Sequence, residues 1–129
     1  MSKLPERTKT ISISGINYSV KFPNNLQLIN IESEKNRLSN GDYSSFLYRV
    51  DNSGMLAKLI IDTIATFSVL IPQLIKDLNV KSYMDLDILE QNTLTSVYID
   101  QYYSWYKEWI DILSNPSQVT NEGRDSQVE

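Results

Sequence analysis

The chain has 129 residues, 41% of them hydrophobic, with 12 Lys and Arg against 16 Asp and Glu and a formal net charge of −4. That length fits one domain with one core, which buries about two-thirds of the surface its unfolded chain exposes. His and Cys are absent, so disulfides, thiolate or imidazole metal sites and the commonest nucleophile–base pairs are excluded, and apolar burial must hold the core.

The first residues carry Lys3, Glu6, Arg7 and Lys9 with Leu4 as their one large apolar side chain. This lacks the apolar run of a secretory signal, so residues 1–8 are expected to be an N-terminal arm of a protein that stays where it is made. From Lys9 to Ser14 apolar and polar residues alternate, and from Tyr18 to Phe22 they alternate again after the turn formers Gly15 and Asn17. The pattern predicts a β-hairpin with Ile11, Ile13, Tyr18, Val20 and Phe22 on its buried face. Two strands alone are marginal in water, so the hairpin must lie on helices or on another chain.

Pro23, Asn24 and Asn25 end the second strand and offer a helix N-cap, after which Leu28, Ile31, Lys35 and Leu38 keep helical spacing up to the stop at Ser39, Asn40 and Gly41. Helix one is therefore expected from about Asn25 to Leu38. A short helical turn is expected between Tyr43 and Val50, broken by Asp51 to Gly54. Met55 to Leu70 is apolar on most faces, the pattern of a helix surrounded by others. Lys58, Asp62 and Pro72 leave its uninterrupted apolar part far short of the roughly 20 residues of a membrane span. Pro72 kinks or ends it before a short helix from Gln73 to Leu78. Asp87 and Glu90 have capping-box spacing and open a last helix that runs through Tyr98 and Trp105 to Leu113. Asn115 and Pro116 close it, and residues 115–129 have the polar composition of a flexible tail. The expected fold class is α+β, mostly α, with the hairpin packed on a bundle of three to five helices in a single domain of residues 9–114.

Each chemical candidate has a plainer structural reading. Asp85, Asp87 and Glu90 would suit a hard cation, but acids are also favoured at a helix start by capping and by the helix dipole. Glu32 and Glu34 stand beside Lys35 and Arg37, as on a solvated charged face, whereas a general-acid pair needs burial. The four glycines are isolated, so neither a dinucleotide fingerprint nor a P-loop is present. No catalytic residue, metal ligand or cofactor is expected, and the protein is read as a non-enzyme.

The densest feature is aromatic: Tyr98, Tyr102, Tyr103, Trp105, Tyr106 and Trp109 fall within twelve residues. Positions 98, 102, 105, 109 and 112 trace one helical seam, expected to pack on Met55 to Leu70. Tyr103 and Tyr106 fall off that seam, and such an excess of rings points to an interface, so all six are candidate partner-binding residues. Residues 1–49 carry +3 and residues 50–129 carry −7. The acidic half holds the aromatic helix, where Lys107 stands against Asp100, Glu108 and Asp111, so a nucleic-acid partner is disfavoured and a basic protein surface is favoured.

The run from Ile11 through Pro23 resembles the opening hairpin of small tailed-bacteriophage morphogenesis proteins, tail assembly chaperones among them. The stretch from Leu26 to Lys35 and the turn from Leu38 to Tyr43 resemble the helix that follows it in such proteins. The resemblance covers the first third of the chain. It implies a role in virion assembly in the host bacterial cytoplasm, with phage structural proteins (tape measure, tail tube or connector) as partners. A second implied role is a virion component, such as a head–tail connector or tail ring subunit, that homo-oligomerises in the assembly.

Overall fold

The computed structural model describes residues 4–115, so the tail expected at 115–129 lies outside the described residues apart from Asn115. Strands β1 (Thr8–Ile13) and β2 (Ile16–Lys21) form an antiparallel hairpin with Ile13 opposite Ile16, Ile11 opposite Tyr18 and Lys9 opposite Val20. The loop has two residues, and both have positive φ, Ser14 at 50° and Gly15 at 84°. That is the turn whose twist matches the strands. Ser14 therefore takes the turn position expected of Asn17, which lies inside β2. Ile11, Ile13 and Val20 are buried, with Tyr18 and Phe22 packed beside them.

Helix α1 spans Asn25–Leu38, and its capping box is complete: the Asn24 side chain accepts from Gln27 N–H at 2.9 Å and Gln27 Oε1 accepts from Asn24 N–H at 3.0 Å. Asn40 and Gly41, both at positive φ, turn the chain out of it. A 3₁₀ turn at Tyr43–Phe46 follows. Helix α2 spans Asn52–Leu70 and starts three residues earlier than its apolar pattern, because Asp51 caps it by accepting Gly54 N–H at 3.0 Å. Every residue from Ile61 to Phe67 is buried. Seven consecutive buried positions cover two helical turns, so this stretch has neighbours on all sides. Among the described helices α2 alone has the length and apolarity of a membrane span, and the burial of Ile61–Phe67 accounts for part of that apolarity.

Pro72 ends α2 rather than kinking it. Its ring disfavours helical geometry at the preceding residue, and Ile71 sits at φ −129°, ψ 73°. The short helix α3 (Leu74–Asp77) and a 3₁₀ turn (Tyr83–Asp85) lead to α4 (Ile88–Val97), capped by Asp87 with Glu90 in return. The expected single last helix is interrupted: a π turn at Tyr98–Tyr103 separates α4 from α5 (Ser104–Leu113). Its Gln101 accepts from Ser12 N–H at 2.8 Å and donates to Ser12 C=O at 3.2 Å, so a side-chain amide closes one edge of β1. Replacing Gln101 by Leu should lower stability by about 1–2 kcal/mol, through two lost hydrogen bonds at a partly exposed site. A shift in urea midpoint with unchanged slope is the measurement.

The architecture is α+β and mostly α, with the hairpin laid on the helices. Its core joins Ile11, Ile13 and Val20 to Ile64, Phe67, Leu74, Leu94 and four rings of the last helix.

Candidate functional site

The six aromatic candidates separate into two groups. Tyr98, Tyr102, Trp105 and Trp109 are buried, Tyr106 is half-buried, and Tyr103 is 43% exposed. Tyr98, Tyr102 and Tyr106 stack with centroids 5.6 and 5.5 Å apart. Phe67 of α2 meets Tyr98 and Tyr102 edge-on at 6.0 and 6.4 Å. This much agrees with a seam on the central helix.

The two indoles go elsewhere. Phe22, just after β2, lies 5.7 Å from Trp105 and 5.4 Å from Trp109. Both indole N–H groups donate to one acceptor, the carbonyl of Glu6, at 2.7 and 3.0 Å. Arg7 C=O accepts from Phe22 N–H at 2.8 Å, so Glu6 and Arg7 belong to the fold rather than to a free arm. The rings thus fasten the last helix to the hairpin. Of the aromatic stripe, Tyr103 and the edge of Tyr106 are left to meet a partner.

Burial pushes the Tyr98 and Tyr102 hydroxyls well above the ordinary phenol value, and the Tyr83 hydroxyl up to about 12. Tyr18, which donates to Asp77 Oδ2 at 2.6 Å, is also raised to about 12, by burial first and the carboxylate second. Buried Asp62 accepts from the Tyr43 hydroxyl and from Lys58 Nζ at 2.8 Å, with Lys35 Nζ at 4.0 Å. That cluster pins α1 and the 3₁₀ turn to α2, and all its charges face one another. It is a structural brace.

Of the three acids, Asp87 and Glu90 serve the cap: Asp87 Oδ1 accepts from the N–H groups of Leu89 and Glu90 at 2.7 and 3.1 Å, and Glu90 Oε1 accepts from Asp87 N–H at 3.2 Å. Ser104 and Lys107 have a spacing seen in serine–lysine dyads, but both are exposed and Lys107 Nζ is held by Asp111 at 2.9 Å. They form no buried dyad.

An uncovered apolar surface occurs where the sequence pattern implies core. Leu56 near the start of α2 and Ile88 and Leu89 in the first turn of α4 are 46%, 61% and 76% exposed. They line a groove of about 220 Å³ floored by Ile60, Gln91 and Thr95. Asn92, on the next turn of α4, continues one wall. Asp87, which is exposed, immediately precedes Ile88 at its edge. The groove therefore has apolar walls over a floor that carries Gln91 and Thr95, a form suited to the apolar face of an amphipathic helix. Sequence reasoning missed it, because periodicity marks Leu56, Ile88 and Leu89 as apolar without saying which element leaves them uncovered.

No protein-family model matches this chain, and neither the curated proteins nor the solved structures include one with significant similarity to it.

Proposed function

We propose that this protein is a non-enzymatic assembly protein that holds an apolar, basic-flanked helix of another protein in the groove between α2 and α4. The observation that carries this reading is the exposure of Leu56, Ile88 and Leu89 around one groove, in a part of the chain, residues 50–129, that carries −7. Exposed apolar side chains scattered singly need no explanation, whereas three lining one groove mark a contact surface. Combined with the resemblance of the first third of the chain, the reading is of a phage tail assembly chaperone acting in the host cytoplasm. In that role it shields an apolar helical stripe of the tape measure protein until tube subunits replace it.

A second reading, a virion component such as a connector or tail ring subunit, is favoured by the open edge of β2 described below. A ring subunit is present in purified particles, and a chaperone is absent from them while abundant in the infected cell.

The groove is tested with a synthetic helical peptide carrying a leucine stripe flanked by lysines. Leu56→Ser combined with Leu89→Ser should weaken its binding by about 2 kcal/mol, roughly thirty-fold. Stability of the protein itself should change by less than about 1 kcal/mol, since both side chains are exposed. Equal affinity for the two proteins would remove the groove from the account.

A further inference from the structure

We infer that the outer edge of β2 is a self-association site, at which a second copy of this chain adds its own β2 antiparallel in a register centred on Ser19. In the hairpin, the pairs Ile13 with Ile16, Ile11 with Tyr18 and Lys9 with Val20 alternate with Ser12–Asn17, Thr10–Ser19 and Thr8–Lys21. Beside a two-residue loop the first set exchanges hydrogen bonds within the hairpin, and the second set points N–H and C=O outward. Ser12 bears this out, since its outward N–H and C=O are the two groups that Gln101 engages.

The two edges of this small sheet are treated differently. On β1 the edge is capped at Ser12 by Gln101, and at Thr8 and Thr10 it borders a cleft of about 620 Å³ whose far wall is Ser104, Trp105 and Glu108 of α5. On β2, among the described residues, no hydrogen bond engages the backbone of Asn17, Ser19 or Lys21. Of the usual protections of an edge, β2 has Lys21 at its far end and lacks the others. Ile16–Lys21 contains no proline and no inward-pointing charge, and its pairing with β1 has no bulge. Ile, Tyr and Val within it favour extended pairing.

A second copy fits this edge by its own symmetry. Centring on Ser19 pairs all three outward residues at once, Ser19 with Ser19 of the other copy and Asn17 with Lys21 in both directions. It also sets Tyr18 opposite Val20 on the buried face and brings no like charges together. Centring on Lys21 would oppose two ammonium groups, and centring on Asn17 would run the strand into the turn. The product is a four-stranded sheet in which the hairpin edge is closed by a two-fold axis. This inference is independent of the helix groove, and either stands if the other fails.

Sedimentation equilibrium on the full chain, from about 1 µM to about 1 mM, reads it directly. The expected result is a reversible dimer of twice the 14.9 kDa monomer mass. Asn17→Glu places a carboxylate opposite Lys21 twice per dimer and should tighten it, while Asn17→Lys should loosen it, the two differing by about tenfold or more in dissociation constant. The Ser12 hydroxyl donates to Asn17 Oδ1 within one hairpin, and urea unfolding of each variant at monomer concentrations separates that contact from the one between copies. Ser19→Pro removes the central outward N–H, a substitution tolerated at edge strands, and should give a monomer with an unchanged circular dichroism spectrum. A wild-type chain that remains monomeric throughout, or a dimer for which the Glu and Lys variants are equal, overturns the inference.

Discussion

Replacing Trp109 by Ala should destabilise the protein by about 3–5 kcal/mol, the cost of a large aromatic removed from a core. The indole is 7% exposed, its ring centroid is 5.4 Å from that of Phe22, and its N–H reaches Glu6 C=O at 3.0 Å. Trp105→Ala should cost a similar amount, since that indole is equally enclosed and donates to the same carbonyl at 2.7 Å. Because the two share an acceptor and a neighbour, their losses should be less than additive when combined. Tyr103→Ala, at a ring 43% exposed, should change stability by less than about 1 kcal/mol. Urea unfolding of the three single variants checks the set. If Trp109→Ala leaves the midpoint unmoved, the indole does not fasten the last helix to the hairpin.

Raising the pH above about 10 should unfold the protein progressively, through tyrosines that the fold keeps neutral. Tyr83 is 8% exposed, and burial lifts its hydroxyl from 10.0 to about 12. The unfolded chain then loses this proton first, so the neutral form's contribution is complete below pH 10 and is lost as pH rises from 10 through 12. At about 1.4 kcal/mol per unit, Tyr83 alone accounts for roughly 3 kcal/mol over that interval. Tyr43, Tyr98 and Tyr102 are raised for the same first cause, burial, and act in the same direction. Phenolate absorbance should therefore rise in step with loss of helical circular dichroism. Smooth titration of every tyrosine near pH 10 with the helices intact would contradict the burial of these rings.

Much of the fold was legible because local chemistry and tertiary structure agree. The N-cap at Asn24 and the capping-box spacing of Asp87 with Glu90 announced the starts of α1 and α4; both caps are formed, and at α1 Gln27 completes a box the sequence reading did not include. The apolar sequence of α2 announced a surrounded helix, and Ile61–Phe67 is one. Boundaries set by a single side chain were harder. Asp51 extends α2 back to Asn52, and Ser14 takes a left-handed turn position that its residue type seldom favours. The π turn left no mark, since Tyr98–Tyr103 contains no proline or glycine and its aromatics keep near-helical spacing across it.

The site was less legible than the fold. Ring density from Tyr98 to Trp109 reads equally well as an outward stripe or as core, and the deciding contacts, Phe22 and the Glu6 carbonyl, lie some hundred residues away in sequence. Conversely, Leu56, Ile88 and Leu89 carry an ordinary core pattern, and they are exposed because no helix among the described residues lies over the junction of α2 and α4. Which face remains unpaired is a property of the assembled elements and not of any one of them.

The central claim is that the protein binds a helix through the α2–α4 groove and not through its aromatic stripe. Backbone amide NMR of the full chain titrated with the lysine-flanked leucine peptide tests it most directly. The predicted result is a set of saturable shifts at Leu56, Ile60, Ile88, Leu89 and Asn92, with Tyr103 and Trp109 unmoved. Shifts centred on Tyr103 and Tyr106, or no saturable shift anywhere, would contradict it.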